Sequence, residues 1–225
     1  MLVTSHWTRC TPTAPQHLIV AAPHPDDEVF GAGEIMRWAV SKGSLLTVVA
    51  VTDGEGSHGR SRRVSPEQLR RVRRAERAAA LSVLGLAGHA NIIELHVPDA
   101  DVHRHVRDVA CRLRDFVVDD RTVVCVPAAQ DRHPDHRAVF EAGLLATEQS
   151  AVPLWSVPIW SRLDRPRPSV EAELVLDAVA EQRKRRAAAC FRSQLVSFGP
   201  SAEDGPVLTA AELHGLSGGA EGICS

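Results

Sequence analysis

Short apolar runs alternate along the chain with longer segments in which apolar residues recur at helical spacing. A short continuous apolar run bounded by turn residues is typical of a buried strand, whereas apolar residues at every third or fourth position are typical of a helix with one buried face. Ser65, Pro66 and Gln68 stand in the order of an N-cap, a first helical residue and a capping-box partner, which indicates a helix start. The predicted strands are residues 17–22, 45–51, 92–97 and 123–127, and the predicted helices are residues 28–42, 65–84, 102–117 and 134–148.

This alternation of strand and helix predicts a parallel sheet with helices on both of its faces. Long continuous apolar runs within the strands agree with that arrangement, because strands covered on both sides are apolar on both sides. We therefore expect an α/β fold, a Rossmann-like three-layer sandwich in which the sheet is mostly parallel.

The pattern becomes less regular after residue 151. A strand at residues 152–160 is interrupted by prolines, and a strand near residues 173–176 and a helix near residues 179–190 follow. From residue 199 onward Gly, Ser and Pro dominate without periodicity, which is typical of a loop.

A length of 225 residues favours one large domain. We expect a single domain over residues 1–225, with a core at about residues 17–198. The remainder, residues 199–225, is predicted to be an irregular C-terminal tail.

The composition excludes several kinds of partner. With 26 basic and 28 acidic residues the formal net charge is −2, which argues against a basic surface for nucleic acid or membranes. Aromatic residues make up 4% of the chain, too few for a platform on which single-stranded nucleic acid stacks. No apolar stretch approaches the ~18 residues of a transmembrane helix. We expect neither a nucleic-acid nor a membrane partner.

The cysteines indicate a reducing compartment. There are five, an odd number, and no two form a CxxC pair, so neither a disulfide framework nor a thiolate zinc site is expected. Residues 1–15 show no secretory signal. A cytoplasmic location is therefore predicted. The oligomeric state stays open, and a homo-oligomer is compatible with the sequence.

Two clusters of ionisable residues follow predicted strands, and we expect them to meet. Ligands of open α/β sheets bind outside the carboxyl ends of the strands, and parallel strands place those ends at one edge. The first cluster, after residues 17–22, is His24, Asp26, Asp27 and Glu28. The second cluster, after residues 123–127, is Asp131, His133, Asp135 and His136.

Histidine and aspartate together indicate a divalent-metal site. Two imidazoles and one carboxylate suit Zn²⁺ and leave a position for water, and Fe²⁺ or Co²⁺ fit the same donors. A further carboxylate beside the ligands would act as a base on that water. A metal ion, its bound water and a base are together what the hydrolysis of an amide requires. The alternative is structural, because a His-Pro-Asp stretch is common in turns and Asp is an ordinary helix N-cap.

The sequence resembles a known family. Pro23-His24-Pro25-Asp26-Asp27-Glu28, continuing to Gly33, is similar to the first motif of the PIG-L/LmbE-like deacetylases, and His133-Pro134-Asp135-His136 is similar to the second. The resemblance runs from about residue 17 to 145 and weakly on to 194. The chain departs from the family pattern at Phe191-Arg192-Ser193-Gln194, where the family often has His-x-Ser-Gln.

The resemblance implies a zinc-dependent N-deacetylase. Its substrate would be an N-acetylglucosamine-type sugar in a small glycoconjugate, such as an antibiotic, a thiol glycoside or a related precursor. The implied zinc ligands are His24, Asp27 and His136. Asp26 would be the general base that activates the water.

Four further residues receive roles from the same resemblance. His133 would stabilise the oxyanion or protonate the departing amine, and Asp135 would orient His133. Arg73 and Asp99 stand where family members contact sugar hydroxyls. Arg73 also belongs to an arginine-rich stretch at residues 60–77, which is otherwise predicted to be a solvated helix face, or less readily a phosphate contact.

Three other functions are compatible with the sequence. The same metal could serve an amidase that cleaves thiol conjugates of amino sugars. A phospho-receiver domain also has paired acids after its first strand, but it needs a suitably placed lysine, and the chain offers only Lys42 and Lys184. A domain that binds zinc without turnover is the last alternative.

Overall fold

A computed structural model describes residues 4–148 and 150–224. Each strand and helix predicted before residue 148 is present, apart from a break within residues 102–117. In chain order the elements are β1 (His6–Thr8), β2 (His17–Ala22), α1 (Asp27–Ser41), β3 (Leu45–Thr52), α2 (Pro66–Val83), β4 (Ala90–Val97), α3 (Val106–Arg114), β5 (Thr122–Pro127), α4 (Pro134–Thr147), β6 (Leu154–Val157), β7 (Ala172–Val175), α5 (Ala178–Ala188), α6 (Arg192–Leu195), α7 (Ala210–Ser217) and β8 (Ala220–Ile223).

Five strands form a parallel sheet in the order β4-β3-β2-β5-β6. Strand β2 lies at its centre, where Leu18 pairs with Leu46 of β3 on one side and with Val123 of β5 on the other. Strand β5 is buried at every position, as expected of a strand covered on both faces. The predicted α/β sandwich with a parallel sheet is confirmed.

Helices cover the sheet on both faces and create two hydrophobic cores. Because successive side chains of a strand point to opposite faces, Val20 packs in a core with helices α1, α2 and α5, whereas Ile19 packs in a core with helices α3 and α4. Helix α2 begins as predicted, with Ser65 and Gln68 forming a reciprocal capping box. The start of α1 and the start of α4 both lie at the carboxyl end of the sheet.

The single helix predicted at residues 102–117 is wrong. Residues Val102–Arg104 form a 3₁₀ turn, and α3 begins only at Val106. His105 separates the two, because its φ of −114° and ψ of 13° lie outside the α-helical region.

The irregular tail predicted at residues 199–225 is also wrong over much of the described part. Thr209 and Glu212 form a capping box that begins α7, and β8 pairs antiparallel with β7, which in turn pairs with β1. The sequence signal was weak because α7 has eight residues and β8 four. Elements this short are stabilised by packing rather than by their own periodicity, and Glu221 in β8 is completely buried.

All five cysteines are free thiols in the structure. Within residues 4–148 and 150–224, no helix combines the length and the apolar character needed to cross a bilayer. Residues 1–3, which belong to the segment without a predicted secretory signal, lie outside the described residues.

Candidate metal centre

A cavity of about 220 Å³ opens at the carboxyl ends of the parallel strands. The loop after β2 lines it with His24, the start of α1 lines it with Asp27, and the loop before α4 lines it with His133. The ring centroids of His24 and His133 are 4.6 Å apart, and those of His24 and His136 are 5.6 Å apart. The prediction that the two clusters meet at one edge of the sheet is confirmed.

Asp27 lies between two histidines. Its Oδ2 atom is 3.1 Å from Nδ1 of His24 and 3.1 Å from Nε2 of His136. Asp27 is the first residue of α1 and His136 lies in the first turn of α4, so the starts of two helices bring these side chains together. The residues expected to be metal ligands therefore converge on one point.

The donor set fits a divalent cation. Tetrahedral zinc with bonds of about 2.0–2.1 Å places neighbouring donors about 3.3 Å apart, close to the 3.1 Å separations around Asp27. Nε2 of His136 is buried and makes no hydrogen bond, although Asp27 is near it. A metal ligand is expected to have such a free nitrogen. His133 offers a competing third ligand, because ring nitrogens of His24, His133 and His136 all lie within 4.8 Å of one another.

The electrostatics of this cluster favour positive charge. Burial opposes a charged His24, but the carboxylates around it, Asp135 foremost, raise its pKa well above the ordinary value. Burial likewise opposes the Asp27 carboxylate, yet His136 and His24 hold its pKa well below the usual range. Despite burial, Asp27 raises the pKa of His136 to about 9. A metal ion would take the place of these protons.

Two carboxylates hold the outer nitrogen of His24. Its Nε2 is 3.1 Å from Oδ2 of Asp135 and 3.2 Å from Oδ1 of Asp99. Because these acceptors engage Nε2, the other nitrogen, Nδ1, is directed toward Asp27. Asp99 also accepts the backbone N–H of Gly56 and lines the cavity, so its contact with a sugar stays a prediction.

The expected role of Asp135 needs correction. Its carboxylate contacts His24 and the backbone N–H of Ala100, not His133. The reason is its position at the start of α4, from which the side chain reaches the end of β4. The link between Asp135 and His133 is made by the backbone instead, since the N–H of Asp135 donates to Nδ1 of His133.

That backbone contact determines the tautomer of His133. Nδ1 accepts a hydrogen bond, so in the neutral ring the proton is on Nε2. Burial, together with the neighbouring histidines, lowers the pKa of His133 to about 4, so the ring is neutral near pH 7. His133 therefore lines the cavity as a hydrogen-bond donor, which is what stabilisation of an oxyanion requires.

Asp131 fixes His136 and was missed as a functional residue. Its Oδ2 accepts from Nδ1 of His136 at 2.9 Å, and its carboxylate also accepts the backbone N–H groups of Ile159, Trp160 and Ser161. Asp131 is completely buried. The signal was its place five residues before His136, within the second ionisable cluster.

Asp26 has an unusual backbone and a buried partner. Its φ is 136°, a conformation that residues with side chains rarely adopt. Its Oδ2 accepts from Nη2 of Arg73 at 3.1 Å. Burial raises the pKa of Asp26 to about 7, against the opposing effect of Arg73. The carboxyl group lines the cavity beside Asp27.

Arg73 lies inside the protein and supports this loop. Besides Asp26 it donates to the carbonyl oxygens of Gly54 and Pro25. Gly54, with a φ of 66°, allows the approach, because a Cβ there would collide with the guanidinium group. Arg73 also lines the cavity, and its predicted contact with a sugar stays a prediction.

The solvated face predicted for the arginine-rich stretch is wrong for two arginines. Arg73 and Arg77 are each 2% exposed, whereas Arg71 is exposed. Nε of Arg77 lies 3.4 Å from Oε1 of buried Glu28. Residues 73 and 77 are one helical turn apart and share the face of α2 that packs toward the start of α1.

Other side chains complete the cavity wall. Trp160 lines it, and the guanidinium of Arg132 lies 5.1 Å from its ring centroid. Gln194, in the stretch that departs from the family pattern, is 2% exposed and also lines the cavity. Phe30 and Leu208 add an apolar surface.

Comparison with known families identifies one match. The family described as PIG-L: GlcNAc-PI de-N-acetylase matches residues 19–147. This segment is more than half of the chain and contains both ionisable clusters.

Individual relatives and solved structures are similar as well. A 1D-myo-inositol 2-acetamido-2-deoxy-alpha-D-glucopyranoside deacetylase from Nocardioides sp. is 26% identical, with 87% of this chain and 73% of the relative covered. A relative of the same description, deacetylase 1 from Catenulispora acidiphila, is 26% identical over 65% of this chain and 52% of its own length, so the chain spans about half of that protein. The crystal structure of the A40926 pseudoaglycone deacetylase Dbv21 shares the fold, with a TM-score of 0.69, 24% identity, and coverage of 94% of this chain and 96% of that one.

Proposed function

Since the chain belongs to the PIG-L family, we propose that it is a zinc-dependent hydrolase that removes the N-acetyl group from an N-acetylglucosamine-type sugar of a small glycoconjugate. The observation that carries the proposal is the convergence of His24, Asp27 and His136 beside the Asp26 carboxyl group in one cavity. The relatives from Nocardioides and Catenulispora, both described as deacetylases of an acetamido sugar on inositol, support the substrate class.

The proposed metal ligands are His24, Asp27 and His136. Two imidazoles and a carboxylate with one further position form a donor set used by catalytic zinc, which is why zinc is named before Fe²⁺ or Co²⁺. A zinc ion bound there would act as a Lewis acid toward water and the acetamide carbonyl. Asp131 and the pair Asp99 and Asp135 would keep the two imidazoles oriented.

Asp26 is the proposed general base. It is adjacent to a proposed ligand in the chain, it lines the cavity, and its carboxylate is fixed by Arg73. A base works best with a pKa near the working pH, and burial raises the pKa of Asp26 to about 7. Asp26 would accept a proton from the water that attacks the acetamide carbon.

His133 is the proposed oxyanion donor. Its Nε2–H would stabilise the negative charge on the carbonyl oxygen as the tetrahedral intermediate forms. The C–N bond then breaks, the amine nitrogen takes up a proton and acetate leaves, so that one water is consumed per amide. The proton comes from Asp26, which took it from the attacking water and lines the same cavity. The neutral His133 ring keeps its one proton on Nε2, where it stabilises the oxyanion.

The dimensions of the cavity support a substrate with one buried sugar. A volume of about 220 Å³ is below the roughly 300–1,000 Å³ of pockets that enclose whole ligands. A second cavity of about 550 Å³, lined by residues 56–60, 202–203 and 205–207, shares Gly56, Ser57 and Val207 with the first. We place the acetamido sugar in the first cavity and the rest of the conjugate in the second.

Acetate release tests the proposal. Metal-loaded protein is incubated with N-acetylglucosamine, its inositol conjugate and a panel of N-acetylglucosaminyl glycosides, and acetate and free amine are quantified. We expect equimolar acetate and amine from at least one substrate, and Asp26→Asn should retain zinc but lose nearly all turnover. Absence of acetate from every substrate, or full activity in Asp26→Asn, contradicts the proposal.

An amidase for thiol conjugates of amino sugars remains the alternative within the family chemistry. Including such conjugates in the panel separates the two, because the amidase would release the thiol-bearing acid rather than acetate. The phospho-receiver alternative has lost its support. Lys184 is buried against Glu221 and does not line the cavity that holds the acidic cluster, and Lys42 lies at the far end of α1. The five free thiols support the cytoplasm as the compartment.

A further inference from the structure

Helix α1 is kinked near the end that carries the metal site. Ala32 has a φ of −137° and a ψ of 17°, far from helical values. Beyond the kink, the backbone N–H groups of Glu34 and Ile35 donate to the carboxylate of Glu221 at 2.7–3.0 Å. An acidic side chain from the C-terminal strand β8 thus caps the second half of the helix.

A lysine engages the first half of the same helix. Nζ of Lys184, in α5, donates to the carbonyl oxygen of Phe30 at 2.8 Å and to Oε1 of Glu221 at 2.6 Å. Lys184 and Glu221 are both completely buried. The negative group lies at the start of one helical segment and the positive group at the end of the other, which is the arrangement that the dipoles of both segments favour.

The first segment carries residues of the cavity. Asp27 is its first residue, and Phe30, whose carbonyl oxygen Lys184 holds, lines the cavity wall. The second segment is anchored in the core through Ile35. The angle between the two segments therefore determines where Asp27 lies relative to the loops from the rest of the sheet.

The two residues act on the backbone of α1 as well as on each other's charge. A buried ion pair contributes little net stability compared with apolar side chains of similar size. Here, however, each charged group also satisfies backbone groups around a kink. Apolar replacements would leave the N–H groups of Glu34 and Ile35 without this acceptor.

We propose that Lys184 and Glu221 are positioning residues for the metal centre, which hold the kink of α1 and thereby the position of Asp27 opposite His136. The inference rests on the proposed metal ligands, and on the proposed deacetylation only where turnover is measured. Metal affinity tests it independently, so failure of the deacetylase proposal and failure of this one give different results.

The test compares Glu221→Gln and Lys184→Met with the unaltered protein. Zinc dissociation constants are measured by competition with a chromophoric chelator, kcat and KM on the substrate found in the acetate screen, and stability by urea unfolding. We expect the Kd for zinc to rise about tenfold or more and kcat to fall by a similar factor. KM should stay nearly constant, because neither residue touches the cavity.

Val109→Ala is the matched control. Val109 is completely buried in the core on the other face of the sheet, so its truncation destabilises the fold without touching α1. Its zinc Kd and kcat should equal those of the unaltered protein. If Glu221→Gln and Lys184→Met behave like this control, with lower urea midpoints but unchanged zinc Kd and kcat, the proposal is overturned.

Amide hydrogen exchange decides the question should neither variant fold. In the unaltered protein, the proposal expects the amides of Glu34 and Ile35 to exchange more slowly with zinc bound than after chelation. Amides of α3, which report only the general stabilisation of the fold by zinc, should slow by a smaller factor. Slowing at Glu34 and Ile35 that is absent, or no larger than the slowing in α3, overturns the proposal.

Discussion

Arg73 donates to Asp26 across 3.1 Å and so connects α2 to the loop that carries the first ionisable cluster. The contact holds a carboxyl group whose own backbone, with a φ of 136°, is strained for any residue other than glycine. Backbone strain of this kind costs about 1–3 kcal/mol and persists where the surrounding structure enforces it. At position 26 the proposed reaction requires a carboxyl group, whereas the backbone conformation would be more stable with glycine.

Replacement of Asp26 measures the catalytic effect of its side chain and the strain of its backbone separately. Asp26→Gly and Asp26→Ala both remove the contact with Arg73, so their difference reports on the backbone. We expect the glycine variant to exceed the alanine variant in free energy of unfolding by about 1 kcal/mol or more, with turnover lost in both. Urea unfolding and acetate release measure the two effects. An alanine variant as stable as the glycine variant would show that the backbone at Asp26 is not strained.

Asp131→Asn tests the orientation of His136. The amide group of asparagine cannot accept at both positions where the Asp131 carboxylate now does, so the imidazole loses its fixed direction. We expect the zinc Kd to rise about 10–100-fold. Chelator competition measures it, with the exposed carboxylate of Asp108, changed in Asp108→Asn, as the control. Equal zinc affinity in both variants would remove Asp131 from the metal centre.

Two substitutions of His133 separate its structural and chemical roles. Asparagine can still accept the backbone N–H of Asp135 as a helix cap, whereas alanine cannot. We expect His133→Asn to keep its zinc and its stability while kcat falls about 10²–10³-fold. His133→Ala should lose about 0.5–2 kcal/mol of stability in addition. Loss of zinc from His133→Asn would instead identify His133 as a metal ligand.

Metal removal should lower the thermal midpoint. A ligand that binds only the folded state stabilises it by RT ln(1 + [L]/Kd), about 2.7 kcal/mol at a hundredfold excess over Kd. Differential scanning fluorimetry with increasing free zinc should therefore show a rising midpoint for the unaltered protein and a flat response for His136→Ala. A thermal midpoint that does not change with zinc in the unaltered protein would contradict the proposed metal site.

Much of the sheet and of the site could be predicted because their signals are local. Continuous apolar strands and helical periodicity identify the parallel sheet. Loops that follow parallel strands meet at one edge, so the approach of His24 to His136 follows from topology alone. The capping box at Ser65 was predicted for the same reason, since both partners lie within one turn.

The parts that sequence reasoning missed depend on contacts between distant segments. Strand β8 is recognisable only through its pairing with β7 and the burial of Glu221 against α1. The burial of Arg77 likewise depends on Glu28, a residue of another helix. The partner of Asp135 could not be predicted either, because a side chain at a helix start can turn toward any of the neighbouring loops.

The most direct test is a crystal structure of zinc-loaded protein with anomalous diffraction measured on both sides of the zinc absorption edge. The account predicts one strong peak at about 2.0–2.2 Å from Nδ1 of His24, Oδ2 of Asp27 and Nε2 of His136. A peak coordinated by His133 in place of Asp27, or one on the other side of His24 between Asp99 and Asp135, would contradict it.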